Sequence, residues 1–99
     1  MKFDLHNHTT FSDGKLTLEE LIEAKIRANI QVVGITDHFE YIKNIIEYFS
    51  LIEKTAQNYR NALNVFAGVE IDVKGTHIVL FGKEYIITLF KSGKKIFDE

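Results

Sequence analysis

The chain has 99 residues, of which 45% are hydrophobic and 26% are charged, and it contains no cysteine. This length supplies one small hydrophobic core and excludes two domains, and the lack of cysteine excludes disulfides and thiolate metal sites. The net charge of −2 and apolar runs far shorter than the ~20 residues of a membrane helix predict a cytoplasmic protein that binds neither membranes nor nucleic acid.

The first part of the chain predicts a strand, a helix and a second strand. Residues 2–5 are expected to form a short strand, which a polar, glycine-containing loop follows. Thr17 and Glu20 have the spacing of a capping box, so we expect a helix to begin there and its apolar stripe to run to Ile30. The β-branched run "QVVGIT", residues 31–36, is typical of a strand that is buried on both faces in a parallel sheet.

The second part predicts a longer helix and a pair of strands. Apolar residues recur at helical spacing over residues 42–63, which predicts a single long helix. "NVFAGVEI", residues 64–71, predicts a strand, and a turn at Lys74–Gly75 leads into a further strand. The last apolar run, "EYIITLF" at 84–90, fits either a short helix closed by Gly93 or a strand, because short apolar runs do not distinguish the two.

The order of these elements predicts an α/β fold with βα units around a mostly parallel sheet. In such sheets the carboxyl ends of the strands converge on one face, where binding sites form. The chain has four histidines, and each lies at a predicted strand end or in a loop beside one: His6, His8, His38 and His77. We therefore expect the histidines to meet at one edge of the sheet.

The residue types at this edge indicate a metal site. His6 and His8 point to the same side of an extended backbone and can bind one ion together. Asp13 follows in the next loop, and Glu70 lies at the end of the third predicted strand, where a metal would compensate for a buried carboxylate. Imidazole and carboxylate ligands suit zinc, manganese or iron. Two such ions, ~3.5–4 Å apart, would activate water to hydrolyse a phosphate ester.

Each of these residues also has an interpretation without a metal. A lone His-x-His pair indicates little, and His6 and His8 could be ordinary loop histidines. Asp13 could serve the turn that it forms with the following glycine, and His38 could cap the next helix. His77 could be merely exposed at the start of its strand. The ordered combination of all these residues nevertheless favours an inherited metal site.

Four segments carry a resemblance to a known family: "DLHNHTTFSDG", "ITDH", "GVEID" and "THIVLFG". Their order and spacing are similar to those of the first motifs of the PHP (polymerase and histidinol phosphatase) superfamily, over residues 3–82. The resemblance implies a distorted (β/α)7 barrel with two or three divalent ions at the carboxyl ends of its strands. Superfamily members include histidinol phosphatases, nucleotide phosphatases and exonuclease domains of bacterial DNA polymerases.

The resemblance also implies a set of metal ligands, namely His6, His8, Asp13, His38, Glu70 and His77. By analogy, His6, His8 and Glu70 would bind one ion, and Glu70 would bridge to a second ion that His77 also binds. Asp13 and His38 would bind a third ion. Asp37 would orient a ligand rather than bind a metal itself.

The expected activity is hydrolysis of a phosphate monoester or nucleotide by metal-activated water, with no catalytic residue besides the metal ligands. The sequence departs from the family pattern because no histidine follows His77. The chain is also much shorter than a (β/α)8 barrel, which has ~250 residues. We therefore expect residues 1–99 to be one truncated domain, the amino-terminal half of the barrel. A second chain or self-association would complete it. The alternative is a non-catalytic metal-binding or assembly fragment.

Overall fold

The structure is a computed structural model that describes residues 1–93, so the end of the predicted 1–99 domain lies outside the described residues. Its elements are β1 (Phe3–Asp4), α1 (Leu18–Arg27), β2 (Val32–His38), α2 (Ile45–Asn58), β3 (Asn64–Val73), β4 (Thr76–Phe81) and α3 (Lys83–Lys91). A short 3-10 turn, Phe39–Tyr41, connects β2 to α2. Within the described part, none of the helices has the length and apolar character needed to cross a membrane.

The four strands form one sheet in chain order, β1-β2-β3-β4. β1 pairs with β2 in parallel, and β2 pairs with β3 in parallel. The predicted turn at Lys74–Gly75 reverses the chain, so β4 is antiparallel to β3. This arrangement is a half-barrel, and it confirms the prediction of an α/β fold that is part of a (β/α) barrel.

The helices cover one face of the sheet and form the core with it. Val33 and Ile35 of β2 and Val69 and Ile71 of β3 are buried on this face. The helical residues buried against them are Leu18, Leu21, Ile22, Ile45, Phe49, Ile52, Ile86 and Leu89. The predicted capping box at the start of α1 is present, with the Thr17 hydroxyl accepting from the Glu20 amide.

The helix predicted over residues 42–63 is shorter than expected. α2 starts after Asn44, whose side-chain oxygen accepts a hydrogen bond from the Glu47 amide at 3.0 Å and so fixes the first turn. Ile42 is buried before this helix begins, and Leu63 is buried after it ends. Ile46 shares the apolar periodicity of residues 42–63, but it lies exposed in the first turn of α2.

The ambiguous apolar run over residues 84–90 forms α3. Ile86 and Leu89 of this helix are fully buried in the core, and their spacing of three residues suits a helix face. Gly93 follows the helix with a φ of 74°, a conformation that favours glycine and suits a helix end. Of the two alternatives that the sequence left open, the short helix is the correct one.

The opposite face of the sheet carries exposed apolar side chains. We call it the open face and define it by Phe3, Leu5, Phe66 and Phe81, which are between 43% and 60% exposed and line a shared cavity. The Phe81 ring lies against Gly68, where an added Cβ would approach it to 2.7 Å. A side chain at this glycine would therefore displace the ring that covers the centre of the open face.

Candidate metal centre

The carboxyl ends of β2 and β3 bring two predicted ligands together. His38 is the last residue of β2, not a loop residue after it, and it pairs with Glu70 at the end of the parallel ladder. Glu70 does not end its strand as predicted, because β3 continues to Val73 through its pairing with β4. The antiparallel partner β4 then returns His77 to the same edge, opposite Asp72.

Asn7 fixes the loop that carries the first two histidines. Its backbone amide donates to Thr36 Oγ1 at 3.1 Å, and its side-chain Nδ2 donates to the Gly34 carbonyl at 3.0 Å. Asn7 is buried, whereas His6 on one side of it reaches Glu70. Sequence analysis missed this role of Asn7. The only sequence signal for this role was the polar side chain between two histidines. Because side chains alternate along an extended backbone, Asn7 points away from the side on which His6 and His8 lie.

Glu70 lies at the middle of the candidate centre and is only 2% exposed. His6 Nε2 is hydrogen-bonded to Oε1, and His8 Nε2 lies 3.4 Å from the same oxygen. His38 Nδ1 and His77 Nδ1 each lie 3.3 Å from Oε2. Burial raises the pKa of Glu70, but the hydrogen bond and charge of His6 and the charges of His8 and His38 together bring that pKa below its usual value.

Two groups of side chains have ligand atoms close enough to hold an ion. The first group is His6, His8 and Glu70, and the second is His8, Asp13 and His38; the ligand atoms in each lie within 4.8 Å of one another. Asp13 Oδ1 is 3.1 Å from His8 Nδ1, and its Oδ2 is 3.2 Å from His38 Nε2. His8 belongs to both groups, with Nε2 towards Glu70 and Nδ1 towards Asp13.

The residues present fit divalent ions. His8 Nε2 is buried and has no hydrogen-bond partner among the described residues, although buried imidazole nitrogens normally have one. A cation between this nitrogen and Glu70 would compensate for both groups. Imidazole nitrogen and carboxylate oxygen are suitable donors for zinc, manganese or iron, and three protein ligands leave coordination positions open for water or substrate.

All six predicted ligands therefore lie around one point at the edge of the sheet. His77 belongs to neither three-residue group, but it contacts Glu70 as described above. The resemblance paired His8 with His6 and Glu70 alone, whereas the geometry also brings it to Asp13 and His38. The convergence of the side chains is a structural observation, and their role as metal ligands stays a prediction.

The fold and this cluster define an α/β half-barrel protein with a candidate metal centre at the ends of its strands. The sequence matches the PHP domain family over residues 4–99, and the chain belongs to that family. It is 36% identical over 80 residues to an uncharacterised protein of Methanocaldococcus jannaschii. It is 35% identical over 82 residues to the DNA polymerase/3'-5' exonuclease PolX of Bacillus subtilis, and 39% identical over 59 residues to a probable histidinol-phosphatase of Thermotoga maritima.

The chain spans only part of the length of these relatives. The match covers 79% of this chain and 35% of the M. jannaschii protein, and 74% of this chain and 14% of PolX. For the probable histidinol-phosphatase the figures are 52% and 25%. The region that matches the PHP domain family, residues 4–99, contains all six clustered residues.

Proposed function

We propose that this chain provides the metal-binding part of a phosphoesterase that hydrolyses a small phosphate monoester or a nucleotide. The observation that carries the proposal is the cluster of four imidazoles around the buried Glu70 carboxylate. Two or three divalent ions, zinc, manganese or iron, would occupy the cluster. The named activities of the relatives, a histidinol-phosphatase and an exonuclease, both cleave phosphate esters and support this reaction class.

The side chains form a cup whose floor is buried and whose rim is exposed. Glu70 at the floor has a side-chain exposure of 3%, whereas His6 and His77 at the rim are 57% and 58% exposed. Asp13 is 51% exposed on the other side of the cup. The exposed rim gives a phosphate access, and the buried carboxylate holds its negative charge where it attracts cations.

The protein's own residues hold and orient the ions in this proposal. Glu70 would bridge two ions, one also bound by His6 and His8 and the other by His77. Asp13 and His38, with His8 beside them, would hold a further ion. When bound, the ions supply an activated water and neutralise the charge that develops on the phosphate.

Hydrolysis of p-nitrophenyl phosphate with added Mn²⁺ or Zn²⁺ tests the proposal. The comparison is between the natural chain, Glu70→Gln, and the control Glu47→Gln, which changes an exposed glutamate on α2. We expect metal-stimulated hydrolysis by the natural chain and the control, and none by Glu70→Gln. Equal hydrolysis by all three would contradict the assignment, since the activity would not depend on the central carboxylate.

A second candidate function is a metal-binding assembly module without turnover of its own. The open face supports it, because Phe3, Phe66 and Phe81 are large apolar side chains that lie exposed on one sheet face. In this proposal a partner polypeptide or a second copy covers the face and completes the barrel. Light scattering on the purified chain tests it. A monomer at every concentration, with cooperative unfolding and metal-stimulated hydrolysis, would contradict it.

A further inference from the structure

A completely buried carboxylate lies behind the candidate metal centre. Asp37 has no solvent exposure. Its Oδ1 accepts hydrogen bonds from the Thr9 amide and the Ser12 hydroxyl, both at 2.6 Å. Its Oδ2 accepts from the Thr9 hydroxyl at 2.9 Å. Within residues 1–93 this carboxylate thus accepts hydrogen bonds from hydroxyl and amide groups of a single loop.

These donors lie at both ends of a short segment between two candidate ligands. Thr9 follows His8 directly, and Ser12 directly precedes Asp13. His8 and Asp13 belong to the same three-residue group, and their facing atoms are 3.1 Å apart. The Asp37 carboxylate is therefore hydrogen-bonded to the residue next to His8 and to the residue next to Asp13, and an ion in this group would lie between those two ligands.

The loop itself is closed tightly, so a shift at one end moves the other. The amides of Ser12 and Gly14 both donate to the Thr9 carbonyl, at 3.1 Å and 2.9 Å. A Cβ at Gly14 would lie 2.5 Å from the His8 carbonyl oxygen, which explains why glycine follows Asp13. The loop therefore behaves as one small unit attached to Asp37.

Asp37 is in turn fixed to the core of the sheet. Its amide donates to the Tyr48 hydroxyl at 3.2 Å, and that hydroxyl donates to the Gly68 carbonyl at 2.8 Å. Burial raises the pKa of Tyr48 well above its usual value, so the hydroxyl keeps its proton. Gly68 precedes Glu70 by two residues in β3. One hydrogen-bonded path thus connects the loop with Asp13 to the strand with Glu70.

A buried carboxylate with only hydrogen-bond donors around it is costly for a fold to keep. An apolar side chain at this position would fill the core without that cost. It would, however, leave the loop between His8 and Asp13 without its attachment. The chemistry of residue 37 thus serves the loop rather than the core.

We propose that Asp37 is a positioning residue that sets the distance between Asp13 and His8 through Ser12 and Thr9. It thereby determines how tightly the group of His8, Asp13 and His38 binds its ion. The group of His6, His8 and Glu70 does not include Asp13, so its ion depends much less on Ser12. The inference rests on the proposed function only in so far as the cluster binds metal; it does not require turnover.

Ser12→Ala is the sharpest test, because it removes one hydrogen bond to Asp37 and leaves the carboxylate and all six candidate ligands in place. Metal binding to the full chain is measured by calorimetric titration with Zn²⁺ and by the visible absorption of bound Co²⁺, which reports ligand geometry. We expect one ion to bind about 10- to 100-fold more weakly and its Co²⁺ spectrum to change, as found when groups that orient a ligand are removed. The other ion should bind as in the natural chain.

Three further variants separate positioning from a general effect on the fold. Ser12→Thr keeps the hydroxyl and should restore the affinity for the ion that Ser12→Ala binds weakly. Ser50→Ala, on the exposed side of α2, should change the affinity for neither ion. Asp37→Asn keeps the shape but loses the charge, and it should weaken the same ion as Ser12→Ala. A purely structural role would lower the melting temperature of the metal-free protein without changing the affinity for one ion alone.

The outcomes are distinguishable from a failure of the proposed function. If the natural chain binds ions and Ser12→Ala binds them equally well, the positioning role is wrong and the metal site stands. If Asp37→Asn loses an ion and Ser12→Ala loses none, Asp37 acts as a ligand and the inference is overturned. If the natural chain binds no ion at all, the proposed metal site fails and the inference fails with it. Metal binding without hydrolysis would leave the positioning role intact.

Discussion

His8 contributes to both candidate cation groups, and its replacement is therefore predicted to have a larger effect than replacement of His6. His8→Ala removes one ligand from the group with Glu70 and one from the group with Asp13. His6→Ala removes a ligand from the first group only. We expect His8→Ala to abolish stabilisation by metal, whereas His6→Ala retains the contribution of one ion.

The size of the effect follows from binding linkage. An ion that binds only the folded chain, at a free concentration 100 times its Kd, stabilises the fold by about 2.7 kcal/mol. For a chain of this length, each kcal/mol shifts the melting temperature by roughly 4–8 °C. One ion should therefore raise Tm by roughly 10–20 °C. The two three-residue groups should give the natural chain about twice that increase, His6→Ala a single increment and His8→Ala almost none. The ion shared by Glu70 and His77 has only those two ligands from the described residues, so we expect it to bind weakly and to add little to any of these increments.

Differential scanning calorimetry with and without Zn²⁺ measures these increments. All four histidines of the chain lie in the cluster, so each variant's own metal-free sample serves as its control. An increment for His8→Ala equal to that of the natural chain would refute the ligand assignment. Equal losses in both single variants would show instead that the two groups hold one shared ion.

Three further predictions concern the scaffold around the centre. Tyr48→Phe leaves a buried amide and a buried carbonyl without their partner and should lower the unfolding free energy by about 1–3 kcal/mol in urea denaturation, whereas exposed Tyr85→Phe should not. Gly68→Ala places a Cβ 2.4 Å from a backbone carbonyl, and we expect a loss of about 1–3 kcal/mol in the same assay; an unchanged midpoint would contradict the close packing. The hydrogen bond and charge of Lys25 outweigh the effect of burial and lower the pKa of Asp4, so this pair contributes stability above the unfolded pKa of about 3.9 that is lost as pH falls through the lower folded value. Asp4→Asn should therefore flatten the fall of Tm in acid, which melts over a pH series would measure.

Local signals in the sequence were sufficient for the order of elements and for the six clustered residues. The capping box at Thr17 and the turn at Lys74–Gly75 depend on neighbouring residues only, and both are present in the structure. The convergence of His38 with Glu70 follows from a general property of parallel strands, whose carboxyl ends lie at one edge. The capping box and the turn could be predicted because no distant contact decides them, and the convergence could be predicted because it is common to parallel strands in general.

Other features depend on tertiary contacts that a single sequence does not reveal. Tyr48 has the spacing of a core aromatic, and nothing local shows that its hydroxyl joins the Asp37 amide to β3. The attachment of Thr9 and Ser12 to Asp37 spans 25 or more positions along the chain. The start of α2 depends on the Asn44 side chain, which competes with the apolar periodicity that extended the predicted helix.

The pairing of β2 with β3 also fixes which way the central carboxylate faces. Successive side chains of a strand alternate between the two faces, so a slip by a single position in sheet register would turn Glu70 towards the helices and bring Val69 or Ile71 to the histidines. The Glu70 carboxylate would then lie in the apolar core between the sheet and the helices, and the imidazoles would face aliphatic side chains. The correct register between β2 and β3 is thus required for cation binding. A shifted register would both destabilise the fold, by burying a charge, and remove the central carboxylate from the candidate metal centre.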